Sequence, residues 1–546
     1  MTGRILTAHV TDRRRWRLAL VLFAGLAALH TWPLATAPAS LSRNNNDDTI
    51  LNEWVLAWDA HQAVTDPAHL FDANIFYPDR RTLAYAEHLL VPAAMGAPLL
   101  WAGASPVLVY NLLLLAGFTL TGWATWYVVA RWTGDPAAGV LSGVLVAFNA
   151  HTLTRLPHLQ AQHAEFLPLA LLSFDALLTT PRLSQAVRLA GWFALQALVS
   201  FYLLVFTATA LVVGCLVRPE DWWRGRARRV ALLLTVAGAL AVMVVLPSLW
   251  PYKQLGLVRS LHEVGLYSAR WRDYLATPAR IHYSLWSARW FGGTALFPGF
   301  IALAFTAVAI GRGDAFTDRR ARMALAFGLV GMALSFGPAM PGYAVLYAWV
   351  PLLAGIRGAA RFGYLAIVGT AWLAGFGLAA LRARWRAHRW MPVATIAVIA
   401  VANLESLAAP VGYVAPQAIS ALHNRLPSHA IVVEFPFYPP DRIFHNAPYL
   451  LESTHHWRPM LNGYSGLVPA SYVEHYRELR GFPDARAIDA LRAAGVTHVF
   501  VHDADLRRWS GADAVDAVSR TTDLRLLEAD ADAQVSLYTL APRRVP

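Results

Sequence analysis

Charge-free apolar runs recur along the chain from Arg17 to Pro410, and at about 17 to 25 residues each is long enough to cross a hydrocarbon layer roughly 30 Å thick. Inside lipid every backbone N–H and C=O must be satisfied within the spanning element, and an α-helix does this by itself. The runs therefore read as a bundle of transmembrane helices. Composition agrees: 15% of the 546 residues are charged and 56% are hydrophobic, whereas a soluble domain carries about a quarter charged residues. An aromatic content of 12% and a single cysteine, Cys215, exclude a disordered chain and a disulfide scaffold.

The net charge of +12 is informative through its placement. Lys253 is the only lysine, and the arginines cluster at Arg13 to Arg17, Arg224 to Arg229, Arg312 to Arg322 and Arg382 to Arg389. The positive-inside rule puts these clusters in the cytoplasm. The N-terminal basic and apolar stretch, followed by small residues at Ala35 to Ala39, has the outline of a secretory signal, but Pro38 disfavours cleavage after Ala37 and the helix is read as retained. The segment 89–104, broken by Pro92 and Pro98, either crosses fully, which puts Arg131 outside, or is half-embedded or re-entrant, which leaves Arg131, Arg182 and Arg188 cytoplasmic and is the reading adopted. The expectation is an α-helical polytopic membrane protein with about eleven transmembrane helices plus re-entrant and interfacial helices. The N-terminus is then cytoplasmic, and residues 1–410 form the membrane domain with a first external loop at 40–88. Residues 411–546 form a small external α/β domain. The basic charge marks topology, so no nucleic-acid partner is expected.

Polar chemistry gathers in the segments this topology places outside. In the first loop, Asp47 and Asp48 precede a stretch in which Leu51, Trp54, Val55 and Trp58 recur at helical spacing. That pattern predicts an amphipathic interfacial helix with tryptophans at headgroup depth. An aspartate there either caps the helix or acts as a general base. A second group, His151, Arg155, His158, Gln160, Gln162, His163 and Glu165, either solvates a turn or lines a hydrophilic cavity. Its histidines are spaced i, i+5 without cysteine partners, so no zinc site is expected there. In the third, Arg357 and Arg361 are read as i, i+4 neighbours on a re-entrant or surface helix, suited to lipid anchoring or to holding one phosphate.

The sequence contains no G-x-G-x-x-G or Walker pattern, so neither a nucleotide-driven pump nor a dinucleotide enzyme is supported. Asp503-Ala-Asp505 and Asp530-Ala-Asp532 match a short metal-binding pattern of nucleotide-sugar enzymes that arises easily by chance. In the tail, 430–435, 497–502 and 524–540 read as strands and 485–494 as a helix. Between the first strand and that helix runs a long insertion with His445, Tyr449, His455, His456, Trp457, Asn462 and Tyr464. It is suited to carbohydrate or to packing on the membrane domain.

The runs Asp48-Thr49-Ile50-Leu51-Asn52-Glu53-Trp54, Phe71-Asp72-Ala73-Asn74-Ile75-Phe76-Tyr77-Pro78, Glu87-His88-Leu89-Leu90 and His158-Leu159-Gln160 resemble bacterial polytopic membrane glycosyltransferases of the GT-C fold, relatives of the protein mannosyltransferase, aminoarabinose transferase and YfhO-like groups. The resemblance implies transfer of a sugar from a polyprenyl-phosphate donor to a hydroxyl of a lipid, glycan or protein acceptor on the external face of a bacterial cytoplasmic membrane. Carried onto this chain, it makes Asp48 the base, with Asp47 as the adjacent alternative. Asn52, Glu87, His88, His158, Gln160, His163, Arg357 and Arg361 are the candidate substrate-binding residues. The family's second acidic residue has no clear counterpart, because His158 and Gln160 occupy that region. No metal ligand is assigned and no cofactor is required, although a divalent metal is compatible with the family. The alternatives are a flippase for a lipid-linked glycan and a non-catalytic membrane protein with a glycan-binding domain.

Overall fold

The computed structural model describes residues 13–223, 225–256 and 258–541; Arg224 of the second basic cluster lies outside them. The chain forms two compact units, one of Met1–Pro38 with Asn111–Gly412 and the other of Ala39–Tyr110 with Tyr413–Pro546. The first external loop thus groups with the tail, whereas the sequence assigns it to the membrane domain.

The first unit is helical. Pro106–Thr133, Pro136–Leu153, Ala227–Leu255 and Ala359–Arg384 are long and apolar enough to cross a membrane by length and composition. Shorter apolar helices include Phe201–Leu216, Phe300–Gly311 and Met391–Ser406. Asp135, Ser200 and Asp318 cap the N-termini of Pro136–Ala147, Phe201–Leu216 and Arg319–Ser335 through side-chain oxygens. The helix Gly363–Arg384 is buried along most of its length, because small residues let its neighbours approach. A Cβ at Gly369 would lie 2.6 Å from the carbonyl oxygen of Ala324. Ala227–Leu255 instead exposes Leu232, Val242, Met243, Val244 and Leu246, the surface expected where a helix faces lipid.

Several charges at helix ends are paired. Arg218 is fully buried, 2.8 Å from Asp175 and 2.6 Å from Asp221, and Arg320 reaches Asp175 at 2.9 Å. Glu405 accepts the backbone N–H of Ile301 at 3.0 Å and that of Phe300, closing the N-terminus of Phe300–Gly311.

The second unit is built on a four-stranded sheet of β1 (Val432–Phe435), β2 (His498–His502), β3 (Leu524–Asp530) and β4 (Val535–Leu540), in the order β1-β2-β4-β3. β1 pairs parallel with β2, and the other pairings are antiparallel. β1 and β2 are buried throughout, Glu434, His498 and His502 included, as their reading as short buried strands expects. The helix Ala485–Ala493 lies between β1 and β2 in the chain, as a parallel crossover requires.

Two further helices, Asp47–Thr65 and Leu90–Trp101, belong to this unit. The second has 12 residues and so rises about 18 Å, short of a hydrocarbon layer of about 30 Å. The first differs from its expected interfacial character: residues Thr49 to Ala60 are buried almost without interruption, polar positions Asn52, Glu53 and Asp59 included. Trp54 and Trp58 lie inside the unit. The reason is the tail insertion. Trp457 packs against Trp58 and stacks on His61 with ring centroids 4.3 Å apart, while Ala447, Leu451 and Tyr464 pack around Ile50.

Candidate functional site

In the second unit the helix Asp47–Thr65 begins with Asn46 as its cap, its side chain accepting the N–H of Asp48. Neither aspartate takes that role, so the carboxylates of Asp47 and Asp48 ride on the first helical turn, where the helix dipole favours negative charge. Tyr464 donates its hydroxyl to Oδ1 of Asp48 at 2.8 Å. Burial pushes the carboxyl of Asp47 above its ordinary range, opposed by His445 and reinforced by the charge of Asp48. Asn52 turns back and donates to the carbonyl of Asp48 at 2.6 Å, so that amide braces the helix start. Burial raises Glu53 to about 8 against a hydrogen bond from Ser42. It likewise raises Asp59 to about 8. Half-buried Glu87 and buried His88 precede Leu90–Trp101.

Tyr464 is held by a local pairing of loop and tail. Phe76 and Tyr77 donate their N–H groups to the carbonyls of Asn462 and Met460 at 3.0 and 2.9 Å, and Met460 donates to Asn74 at 2.8 Å. The resemblance segment Phe71 to Pro78 is therefore a run of turns and bends tied to the insertion through the backbone of Asn74, Phe76 and Tyr77. A Cβ at Gly463 would lie 2.6 Å from the Phe76 ring, so the residue before Tyr464 has space for glycine alone.

The first unit holds a second cluster. Asn149 caps the short helix Ala150–Leu153, and Gln162 donates to the carbonyls of Thr152 and Arg155 at 3.1 and 2.8 Å, folding 149–165 into a compact polar turn. His163 sits 2.9 Å from Glu165 and 3.0 Å from the carbonyl of Leu113. Both of its ring nitrogens are thus engaged within the protein, which locks the turn. Gln160 is buried in the same turn.

His158 is different in kind. Burial pushes its pKa well below the ordinary histidine value, and the charges of Arg361 and Arg155 push further in the same direction, with His151 and Arg357 adding smaller contributions. The charges of three arginines thus act on this one imidazole. Arg357 and Arg361 are not on a common helical face as the i, i+4 reading expects. Arg357 lies ahead of the 3-10 helix Ala359–Phe362, and Gly358 between them is non-helical. Each guanidinium lies over an aromatic ring, Arg361 over Tyr202 at 4.3 Å and Arg357 over Tyr267 at 4.8 Å. Tyr202 also accepts the N–H of Gly358 at 3.0 Å. Among the described residues no carboxylate forms an ion pair with either arginine. A ring face holds a guanidinium plane while leaving its N–H edge for an anion.

Sequence reasoning did not single out Tyr202 or Tyr267, which carry no polar pattern of their own. Tyr464 was visible as part of an aromatic insertion.

No known protein-family profile matches the sequence, and no curated protein matches it. Solved structures do. The chain is similar to the arabinofuranosyltransferase AftD from Mycobacteria, with 16% identity and a TM-score of 0.64 over 97% of this chain and 40% of that one. The chain therefore spans well under half the length of that protein. It is also similar to ArnT from Cupriavidus metallidurans bound to undecaprenyl phosphate, with 13% identity and a TM-score of 0.50 over 97% of this chain and 99% of that one. The chain has the GT-C fold of membrane glycosyltransferases.

Proposed function

We propose that the protein is a membrane glycosyltransferase that moves a sugar from a polyprenyl-phosphate donor to a hydroxyl of a lipid, glycan or protein acceptor, with inversion, on the external face of a bacterial cytoplasmic membrane. The observation that carries this reading is the arginine cluster of the first unit, with Arg357 and Arg361 held over tyrosine rings and, among the described residues, in no ion pair with a carboxylate. Such a cluster suits a phosphate, and the fold is one in which ArnT is seen bound to undecaprenyl phosphate.

In this reading Asp48 takes the proton of the acceptor hydroxyl as its oxygen attacks the anomeric carbon, and the carbon–oxygen bond to the lipid phosphate breaks. The departing phosphate keeps the electron pair, and its growing charge is stabilised by Arg357 and Arg361. His158, kept neutral by burial and by its cationic neighbours, donates a hydrogen bond without adding a further charge. Asp47 is the alternative base, and Asn52, Glu87, His88 and Gln160 are auxiliary binding residues. The test is reconstitution into liposomes with a panel of polyprenyl-phosphate sugars: turnover for wild type and its loss in Arg357→Ala and Arg361→Ala are expected, whereas undiminished transfer by both variants would sink the phosphate assignment.

A further inference from the structure

The tail contains a buried cluster that this reaction does not use. His423 comes from the 3-10 helix Ala421–Arg425, Glu434 from β1, and Glu452 from the end of the helix Ala447–Glu452. All three are buried. Among the described residues His423 Nε2, Glu434 Oε1 and Glu452 Oε2 have no hydrogen-bond partner, and they lie within 4.8 Å of one another. The imidazole nitrogen is 3.5 Å from Glu434 Oε1 and 3.7 Å from Glu452 Oε2, beyond good hydrogen-bond length. His423 Nδ1 lies 3.1 Å from the carbonyl oxygen of Ser420. A carbonyl only accepts, so Nδ1 carries a hydrogen, and in the neutral ring the Nε2 lone pair points at two carboxylates. Acceptors converging in a dry interior repel one another, and a cation between them removes the conflict.

We propose that His423, Glu434 and Glu452 bind a divalent cation of the zinc class. A tetrahedral zinc with bonds of about 2.1 Å places its ligand atoms about 3.4 Å apart, close to the two nitrogen–oxygen separations observed. A nitrogen ligand selects against magnesium and calcium, which take oxygen. The supporting hydrogen bonds are of the kind metal ligands use. Ser420 fixes the His423 tautomer, and His502 Nε2 donates to the other Glu434 oxygen at 2.8 Å. His502 Nε2 also lies 3.6 Å from Glu452 Oε2; because that nitrogen carries the hydrogen given to Glu434, it supports the ligands and is not one of them.

The ion clamps three parts of the tail together. Glu452 ends the helix whose Ala447 and Leu451 pack with Tyr464 around Ile50, so the metal stiffens the surroundings of the Tyr464–Asp48 contact. Only that last link rests on the reading of Asp48 as a base; the metal site itself does not.

The test uses the full chain in detergent, stripped with a chelator, offered one equivalent of zinc chloride, desalted and assayed for metal. One zinc per chain is expected, with at least a tenfold loss of affinity in His423→Gln and Glu452→Gln and none in His455→Gln, an exposed neighbour. Zinc, and not magnesium, should raise the wild-type melting temperature after stripping. Should the variants fail to fold, cobalt substitution of wild type still decides, since a tetrahedral site of this kind gives visible absorption bands. Wild type that retains no zinc and gives no cobalt spectrum, or a folded Glu452→Gln that binds zinc as tightly as wild type, would overturn the proposal and leave the cluster an ion pair in which His423 carries both protons.

Discussion

The hydroxyl of Tyr464 lies 2.8 Å from Oδ1 of Asp48, joining residues 416 positions apart in the chain. A phenol donating to a carboxylate fixes its orientation. A hydrogen bond to a charged group contributes about 1.5–3 kcal/mol. Tyr464→Phe is therefore expected to lower the transfer rate roughly tenfold or more while leaving the melting temperature within a few degrees of wild type. Steady-state turnover in liposomes, paired with thermal unfolding, checks both halves.

Gly463 supports that contact through space alone. Adding a methyl group forces the buried Phe76 ring to move, and overpacking of this sort costs about 1–3 kcal/mol. Gly463→Ala should lower the melting temperature and reduce transfer in parallel, because the insertion segment that carries Tyr464 shifts with it. A variant that lost activity without losing stability would point to a direct role for the glycine instead.

The arginines should not tolerate lysine. A guanidinium stacks flat on a tyrosine ring and keeps its N–H edge for two phosphate oxygens, whereas an ammonium is a point charge with neither property. Arg361→Lys is expected to weaken binding of polyprenyl phosphate roughly tenfold, and Tyr202→Leu to weaken it by a smaller factor. Direct binding of undecaprenyl phosphate, measured by native mass spectrometry, reads these effects without a turnover assay.

The buried carboxyl of Asp59 gives a dependence on pH whose sign is set by burial. Its two oxygens have no hydrogen-bond partner among the described residues, and burial raises its pKa from 3.8 to about 8. A carboxyl raised on folding contributes stability that is fully present below the unfolded value near 3.8 and is lost as pH rises towards 8. Asp59→Asn should therefore raise the melting temperature at pH 8, change it little at pH 4, and flatten the slope between. Thermal unfolding of both proteins across that range checks it, and Glu53 leaves a residual slope of the same sign.

Much of the helical unit was legible because lipid imposes length and hydrophobicity directly on sequence. Helix Asp47–Thr65 was legible in position, from Leu51, Trp54, Val55 and Trp58, but not in environment. Periodicity records an apolar face, and nothing local to Asn52, Glu53 or Asp59 reveals that the tail insertion covers the polar face too. Arg357 and Arg361 were found as a pair for a reason that failed, since Gly358 breaks the helix that spacing implies. Their charges reach His158 by tertiary folding. The tail metal cluster was invisible because its ligands lie at 423, 434 and 452, with no short spacing to mark them.

The most direct measurement of the central claim is single-turnover sugar transfer in proteoliposomes by wild type, Asp48→Asn and Asp47→Asn, each verified as folded by thermal unfolding. Asparagine keeps the size of the side chain and a hydrogen bond from Tyr464 but cannot take a proton. With Asp48 as the base, Asp48→Asn should slow the chemical step by a factor of roughly 10²–10⁴, while Asp47→Asn stays within a few-fold of wild type. Transfer by Asp48→Asn at the wild-type rate would contradict the assignment.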